Sequence, residues 1–201
     1  HSPAVSLGTL FGRIGSYIQV FCSQPSNDKM NLSRADQISP LDIFKIGIGP
    51  SSSHTIGPMM AALEFKKEVL SLLLPDSSTA DNPDLGNLKI EVELYGSLSA
   101  TGRGHITDGA ICAGLLGMHP KTSSPEEIWS AMPLLKTKPY VEANGHQARF
   151  HPDHEISWSG WFIDEQPLPH PNTMRFRLLR DSELLLQHIT LSMGGGFIER
   201  V

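Results

Sequence analysis

Leu88-Lys-Ile-Glu-Val-Glu-Leu-Tyr95 alternates apolar and charged residues without a break. Successive side chains leave a β-strand on opposite sides, so this stretch predicts a strand with one face buried and one solvated. The fold is read outward from that half-buried strand.

Upstream, residues 57 to about 74 carry Met59, Leu63, Leu70 and Leu74 at helical spacing, with Glu64, Lys66 and Lys67 on the wet side. Residues 75–86 read as a surface loop from their Pro, Asp, Ser and Gly content. Ser39-Pro-Leu-Asp-Ile-Phe44 reads as a helical turn, with Ser39 at the N-cap and Pro40 at the first helical position. Downstream, residues 96–104 read as a glycine-punctuated turn and residues 107–116 as a small-residue helix. Ser124-Pro-Glu-Glu-Ile-Trp129 opens another helix, with Glu127 at the capping-box position.

After Pro139 the pattern turns to strands. Residues 156–163 form one with imperfect alternation. Met174-Arg-Phe-Arg-Leu-Leu179 and Leu184-Leu-Leu-Gln-His-Ile-Thr-Leu191 predict a hairpin around Arg180-Asp-Ser-Glu183. Residues 194–201, directly behind that strand, read as a cut or a linker rather than a natural terminus. The sum is an α+β fold, a largely antiparallel sheet covered by helices on one face.

The chain has 201 residues and a net charge of −5, with no long basic or acidic run and no apolar run of membrane-spanning length. Neither nucleic acid nor a membrane is an expected partner, and the cytoplasm is the expected compartment. Residues 1–37 form an acid-poor extension, read as disordered ahead of a natural start at Met30; a mitochondrial transit peptide is the alternative. The folded region is expected over residues 38–201. The two cysteines, Cys22 and Cys112, are too few to hold an iron–sulfur cluster or a structural zinc.

Three clusters carry chemistry. In Ile46-Gly-Ile-Gly-Pro-Ser-Ser-Ser-His-Thr-Ile-Gly-Pro58, hydroxyls gather just before a helix, where free N–H groups and the helix dipole attract an anion. An ordinary N-cap needs one Ser or Thr, not Ser51, Ser52, Ser53 and Thr55 with His54 among them. Ser53 with His54 is not expected to be a nucleophile pair, since neighbouring side chains diverge and no nucleophile elbow is present. The second cluster, Gly96-Ser-Leu-Ser-Ala-Thr-Gly-Arg-Gly-His-Ile-Thr-Asp-Gly109, follows the best strand and sets His105 in a glycine-flanked loop, with Thr107 or Asp108 as helix caps. The third, Pro169-His-Pro-Asn-Thr-Met174, reads as a rigid turn around His170 and Asn172. His146, His151 and His154 read as surface-loop residues rather than zinc ligands.

In this order the clusters resemble the β domain of the iron–sulfur L-serine dehydratases, or L-serine ammonia-lyases. The resemblance rests on residues 41–59, on Leu94-Tyr-Gly-Ser97 through Asp108, on His170-Pro-Asn-Thr-Met174 and on Ser192-Met-Gly-Gly-Gly-Phe197. It implies deamination of L-serine to pyruvate and ammonia without pyridoxal phosphate. It also implies a four-iron four-sulfur cluster ligated in a separate α domain, present in cis or as another subunit, and a homodimeric assembly. A fold similar to the allosteric substrate-binding domain of phosphoglycerate dehydrogenases follows as well.

Carried across by position, Ser51, Ser52, Ser53 and Thr55 become candidate ligands of the substrate carboxylate. His105 becomes the candidate general base and His54 an orienting or proton-transferring group. Thr107 and Asp108 become candidates to orient His105, with His170 and Asn172 lining the cleft. No metal ligand is expected in this chain, and alone it is expected to be inactive. The rival reading is a stand-alone domain that senses serine or another small anion.

Overall fold

A computed structural model describes residues 49–73 and 86–201. A π-helical turn (Ser52–Ile56) runs directly into α1 (Gly57–Leu72). β1 (Leu88–Leu94), α2 (Gly96–Thr101), a 3₁₀ turn (Gly102–His105), α3 (Thr107–Leu115) and α4 (Pro125–Thr137) follow. Then come β2 (Tyr140–Ala143), β3 (His146–Arg149), α5 (Pro152–Glu155), β4 (Ile156–Trp158) and a small hairpin of β5 (Phe162–Ile163) and β6 (Gln166–Pro167). β7 (Thr173–Arg180), β8 (Glu183–Gly194) and β9 (Phe197–Arg200) complete the described chain. The helical turn expected at Ser39 and the loop expected over 75–85 lie outside the described residues.

The main sheet runs β2-β3-β1-β7-β8-β9, with β4 also pairing β1. Its pairings are antiparallel except those of β1 with β3 and with β4. The α+β architecture is the one the alternation predicts. Leu88, Ile90, Val92 and Leu94 are buried, while Lys89, Glu91 and Glu93 leave from the other face. On the buried face α1 brings Met59, Ala62, Phe65 and Val69, α3 brings Ile111 and Leu115, and α4 brings Ile128, Ala131 and Leu135. Phe65 stacks on Phe176 of β7 with centroids 5.4 Å apart. Each such burial of a large apolar side chain stabilises by roughly 1.5–3 kcal/mol.

The opposite face is held by charge. Register places Glu91 across from Arg177 and Glu93 across from Arg175. Arg177 reaches both carboxylates, at 3.0 and 2.6 Å, and Arg175 bridges Glu93 at 2.5 Å and Asp164 at 2.8 Å. Asp164 sits in the β5–β6 turn, so that hairpin is tied over this face.

Four expectations need correcting. Residues 96–105 are helical rather than a turn: Gly96 turns the chain out of β1 at φ +55°, and Ser97 to Thr101 then have no residue that breaks a helix. The strand expected over 156–163 stops at Trp158: the Ser159 N–H still reaches the Leu94 carbonyl at the end of β1, but the Gly160 carbonyl is taken by the Gly96 N–H at the start of α2. His146 lies in β3 rather than a surface loop, and His151 caps α5 with its ring nitrogen. Asn144 and Gly145, both at positive φ, make the tight turn of the β2–β3 hairpin. Residues 194–201 are not a linker, since Gly194 to Gly196 turn the chain and β9 pairs back on β8.

Candidate functional site

The hydroxyl cluster lies within the first helical turn rather than ahead of it. Ser51 is the N-cap in extended conformation, and its hydroxyl accepts the His54 N–H at 3.3 Å. In this widened turn Ser53 Oγ comes within 3.0 Å of His54 Nδ1 and 3.3 Å of Ser51 Oγ. The expected divergence of Ser53 and His54 therefore does not hold. Ser52 and Thr55 are engaged elsewhere: Ser52 Oγ accepts the Gly195 N–H at 3.2 Å, and the Thr55 hydroxyl donates to the His105 carbonyl at 2.8 Å.

His54 is only 9 % exposed, and its Nε2 lies 3.1 Å from Ser97 Oγ. Burial lowers its pKa; hydrogen bonding to the Ser97 main chain opposes this and the neighbouring His105 adds to it. His54 is thus neutral near pH 7. His105 lies beside it, with ring centroids 4.9 Å apart and planes tilted by 45°. His105 Nδ1 is 2.9 Å from the Thr101 carbonyl, which can only accept, so Nδ1 carries the proton. With Nδ1 committed to that carbonyl, Nε2 is the nitrogen of the half-buried His105 ring left to face the site.

The remaining expected residues divide sharply. Thr107 is wholly buried and donates to the His54 carbonyl at 2.5 Å, so its hydroxyl braces the histidine backbone. Asp108 accepts its neighbour's N–H, from Gly109, at 2.9 Å and shows no hydrogen bond to either histidine. It therefore does not orient His105. His170 accepts the Asn172 N–H at 3.0 Å, and Asn172 exchanges hydrogen bonds with the backbone of Ser192. Ser192, itself buried, donates to the Ser53 carbonyl at 2.7 Å. Asn172 and the His170 turn thus reach the site through Ser192, and Asn172 Oδ1 is buried with no hydrogen-bond partner.

Sequence reasoning quoted Ser97 and Ser192 within its clusters but gave neither a role. The available signal was position, since Ser97 follows closely on β1, in the first turn of α2, and Ser192 lies near the end of β8. Beside the site runs an apolar groove of about 370 Å³ lined by Thr55, Ile106, Gly109, Ile128, Trp129, Met132 and Pro133. Ile106, between His105 and Thr107, holds φ +58° and is exposed. A β-branched residue avoids that conformation unless its surroundings impose it.

A metal cluster does not fit these residues. Cys112 is fully buried in α3, where burial pushes its thiol pKa far up, and Cys22 lies outside the described residues. No group of three His, Cys, Asp or Glu side chains among the described residues is placed to hold a metal ion. No described helix is long and apolar enough to cross a membrane.

Residues 39–201 match the family model described as serine dehydratase beta chain. The chain is 39 % identical over 163 residues to L-serine dehydratase 2 of Escherichia coli, and 41 % identical over 165 residues to L-serine dehydratase TdcG of the same organism. It is 36 % identical over 169 residues to an L-serine dehydratase of Streptomyces coelicolor. Each alignment covers 80 % of this chain and 33 % of the relative, so the chain spans about a third of the length of these proteins.

Proposed function

This chain belongs to the serine dehydratase beta chain family, and from that premise we propose that it forms the substrate-holding part of an L-serine ammonia-lyase that releases pyruvate and ammonia. The observation that carries the reading is the pair of imidazoles 4.9 Å apart, one buried and one open, beside the Ser51–Ser53 turn.

The reaction needs a base for the α-proton and a path for the β-hydroxyl to leave with a proton. The Cα–H electrons form the Cα–Cβ double bond as the hydroxyl departs as water, and the enamine then tautomerises and hydrolyses to pyruvate and ammonia. His105 Nε2 is the proposed base, since it is the ring nitrogen left to face the site and Thr101 holds the other. His54, gripped on both sides, orients the Ser53 hydroxyl, and the Ser51–Thr55 turn binds the substrate. The four-iron four-sulfur cluster that the family resemblance implies belongs, on this reading, to a companion α domain. The shared site would then form where that domain meets this one.

The test combines this chain with the complementary two-thirds of an E. coli L-serine dehydratase under anaerobic conditions and assays pyruvate from L-serine. Pyruvate from the pair and from neither part alone is the expected result. Sustained turnover by this chain alone would sink the division of labour, as would an active pair that is indifferent to His105→Ala.

A further inference from the structure

Gly57-Pro58 stands directly behind the π-helical turn, and each residue of the pair withholds something an ordinary helix would supply. The Gly57 N–H reaches back five residues to the Ser52 carbonyl, one residue further than in an α-helix. In that register the next carbonyl, of Ser53, would be served by residue 58, and proline has no N–H to give. A carbonyl orphaned in a half-buried turn must find another donor.

The donor comes from the sheet, 139 positions away. Ser192, wholly buried in β8, gives its hydroxyl proton to the Ser53 carbonyl at 2.7 Å. A carbonyl can only accept, so the direction of this bond is fixed. The Ser192 backbone is pinned as well, since its N–H donates to the Asn172 carbonyl at 2.9 Å and its own carbonyl accepts from Asn172 Nδ2 at 3.3 Å. Its approach depends on Gly57, where a Cβ would lie 2.0 Å from the Ser192 hydroxyl oxygen. The His54 carbonyl, which residue 58 would serve in an α-helix, is taken by the Thr107 hydroxyl. Glycine thus opens the space, proline vacates the donor, and hydroxyls from β8 and α3 fill in. The outcome is a change in side-chain direction: Ser53 Oγ stands 3.0 Å from His54 Nδ1, although successive residues of an α-helix do not face each other.

We propose that Ser192 is a positioning residue: by holding the Ser53 carbonyl it keeps the Ser51–Thr55 turn in its π-helical register and so sets the Ser53 hydroxyl against His54. Without it, the Gly57 N–H passes to the Ser53 carbonyl, the turn tightens to an α-helix, and Ser53 leaves the imidazole. The consequence for substrate binding rests on the proposed function; the register of the turn does not.

The ¹³C,¹⁵N-labelled full chain reports the register with no ligand present, since scalar coupling across the hydrogen bond of the residue 57 N–H names its acceptor. The Ser52 carbonyl is expected in the wild type and the Ser53 carbonyl in Ser192→Ala, with the His54 Nδ1 resonance moving as Ser53 departs. Gly57→Ala, which leaves Ser192 in place and turns its hydroxyl away, should give the same exchange. Ser124→Ala, which removes the α4 cap and costs comparable stability, should move neither signal. A Ser53 acceptor in the wild type, or a Ser52 acceptor kept in Ser192→Ala, overturns the role of Ser192; where that variant does not fold, a Ser52 acceptor kept in Gly57→Ala does so. Joined to the complementary two-thirds of an E. coli L-serine dehydratase, Ser192→Ala should raise KM for L-serine roughly fivefold and lower kcat by less than about twofold, as for loss of one hydrogen bond to bound substrate. An unchanged KM overturns the effect on binding. An inactive wild-type pair overturns the proposed function and the binding effect with it, and leaves the register result standing.

Discussion

The Thr55 hydroxyl donates to the His105 carbonyl across fifty positions of sequence, at 2.8 Å. Thr107 answers it by donating to the carbonyl of His54. Two threonines therefore lash the two histidine backbones together, and the imidazole spacing depends on both. Thr55→Val keeps the shape and removes the donor. It should cost about 1 kcal/mol, a fall in melting temperature of roughly 2–4 °C for a chain of this size. Calorimetry checks the cost, and an unchanged melting temperature would show that the lashing is incidental.

His105 should matter for chemistry and little for folding. Its ring is half-buried and one nitrogen is unused, so His105→Ala should leave the unfolding transition nearly unmoved. In the assembled enzyme kcat should fall roughly 10²–10⁴-fold with a smaller change in KM. His54→Ala, which removes a buried and doubly hydrogen-bonded ring, should disturb both stability and KM. A near-normal kcat in His105→Ala together with an inactive His54→Ala would reverse the two roles.

Stability should fall on mild acidification. His54 and His188 are both buried and both hold pKa values below the ordinary 6.5, burial being the main cause in each. For His188, Glu68 and Glu64 of α1 pull the other way, while Arg200 of β9 adds to the lowering. Below pH 6.5 the unfolded chain takes up protons on these residues before the folded chain does, so stability present above that pH drains away beneath it. Denaturant midpoints between pH 8 and pH 5 should show this slope, flattened in His188→Gln. A midpoint that rises toward pH 5 would contradict the direction.

On the charged face, Glu93 joins Arg175 and Arg177 with little solvent around it. Glu93→Ala would leave the buried Arg175 and half-buried Arg177 guanidinium groups short of a partner, at a cost of roughly 2 kcal/mol. Glu93→Ala paired with Arg175→Ala in a double-mutant cycle separates their coupling from simple loss of packing. A coupling near zero would mean that Asp164 and Glu91 suffice.

How much of this was legible beforehand follows from where the determinants sit. β1, β7 and the capping box of α4 were readable because period-two alternation and Ser124 with Glu127 are local signals. The helical character of residues 96–105 was hidden because their glycines read as turns, whereas only Gly96 there needs positive φ. The β2–β3 hairpin carried its own signal in Asn144-Gly145, obscured by the histidines around it. At the site, residue types were readable and directions were not. Which hydroxyl faces an imidazole and which braces a backbone depends on partners 43 to 143 positions away, such as Ser97 for His54 and Gly195 for Ser52.

Arg103 lies over the ring of Trp158 at 4.8 Å, in the same 3₁₀ turn that carries His105. Trp158 ends β4, where the parallel pairing with Leu94 anchors it to the sheet. The other two tryptophans, Trp129 and Trp161, are exposed. The molecule thus carries a built-in optical gauge: a fixed indole under a cation that must move if the histidine turn moves. With Trp129 and Trp161 replaced by phenylalanine, the remaining emission would follow that turn directly and in real time.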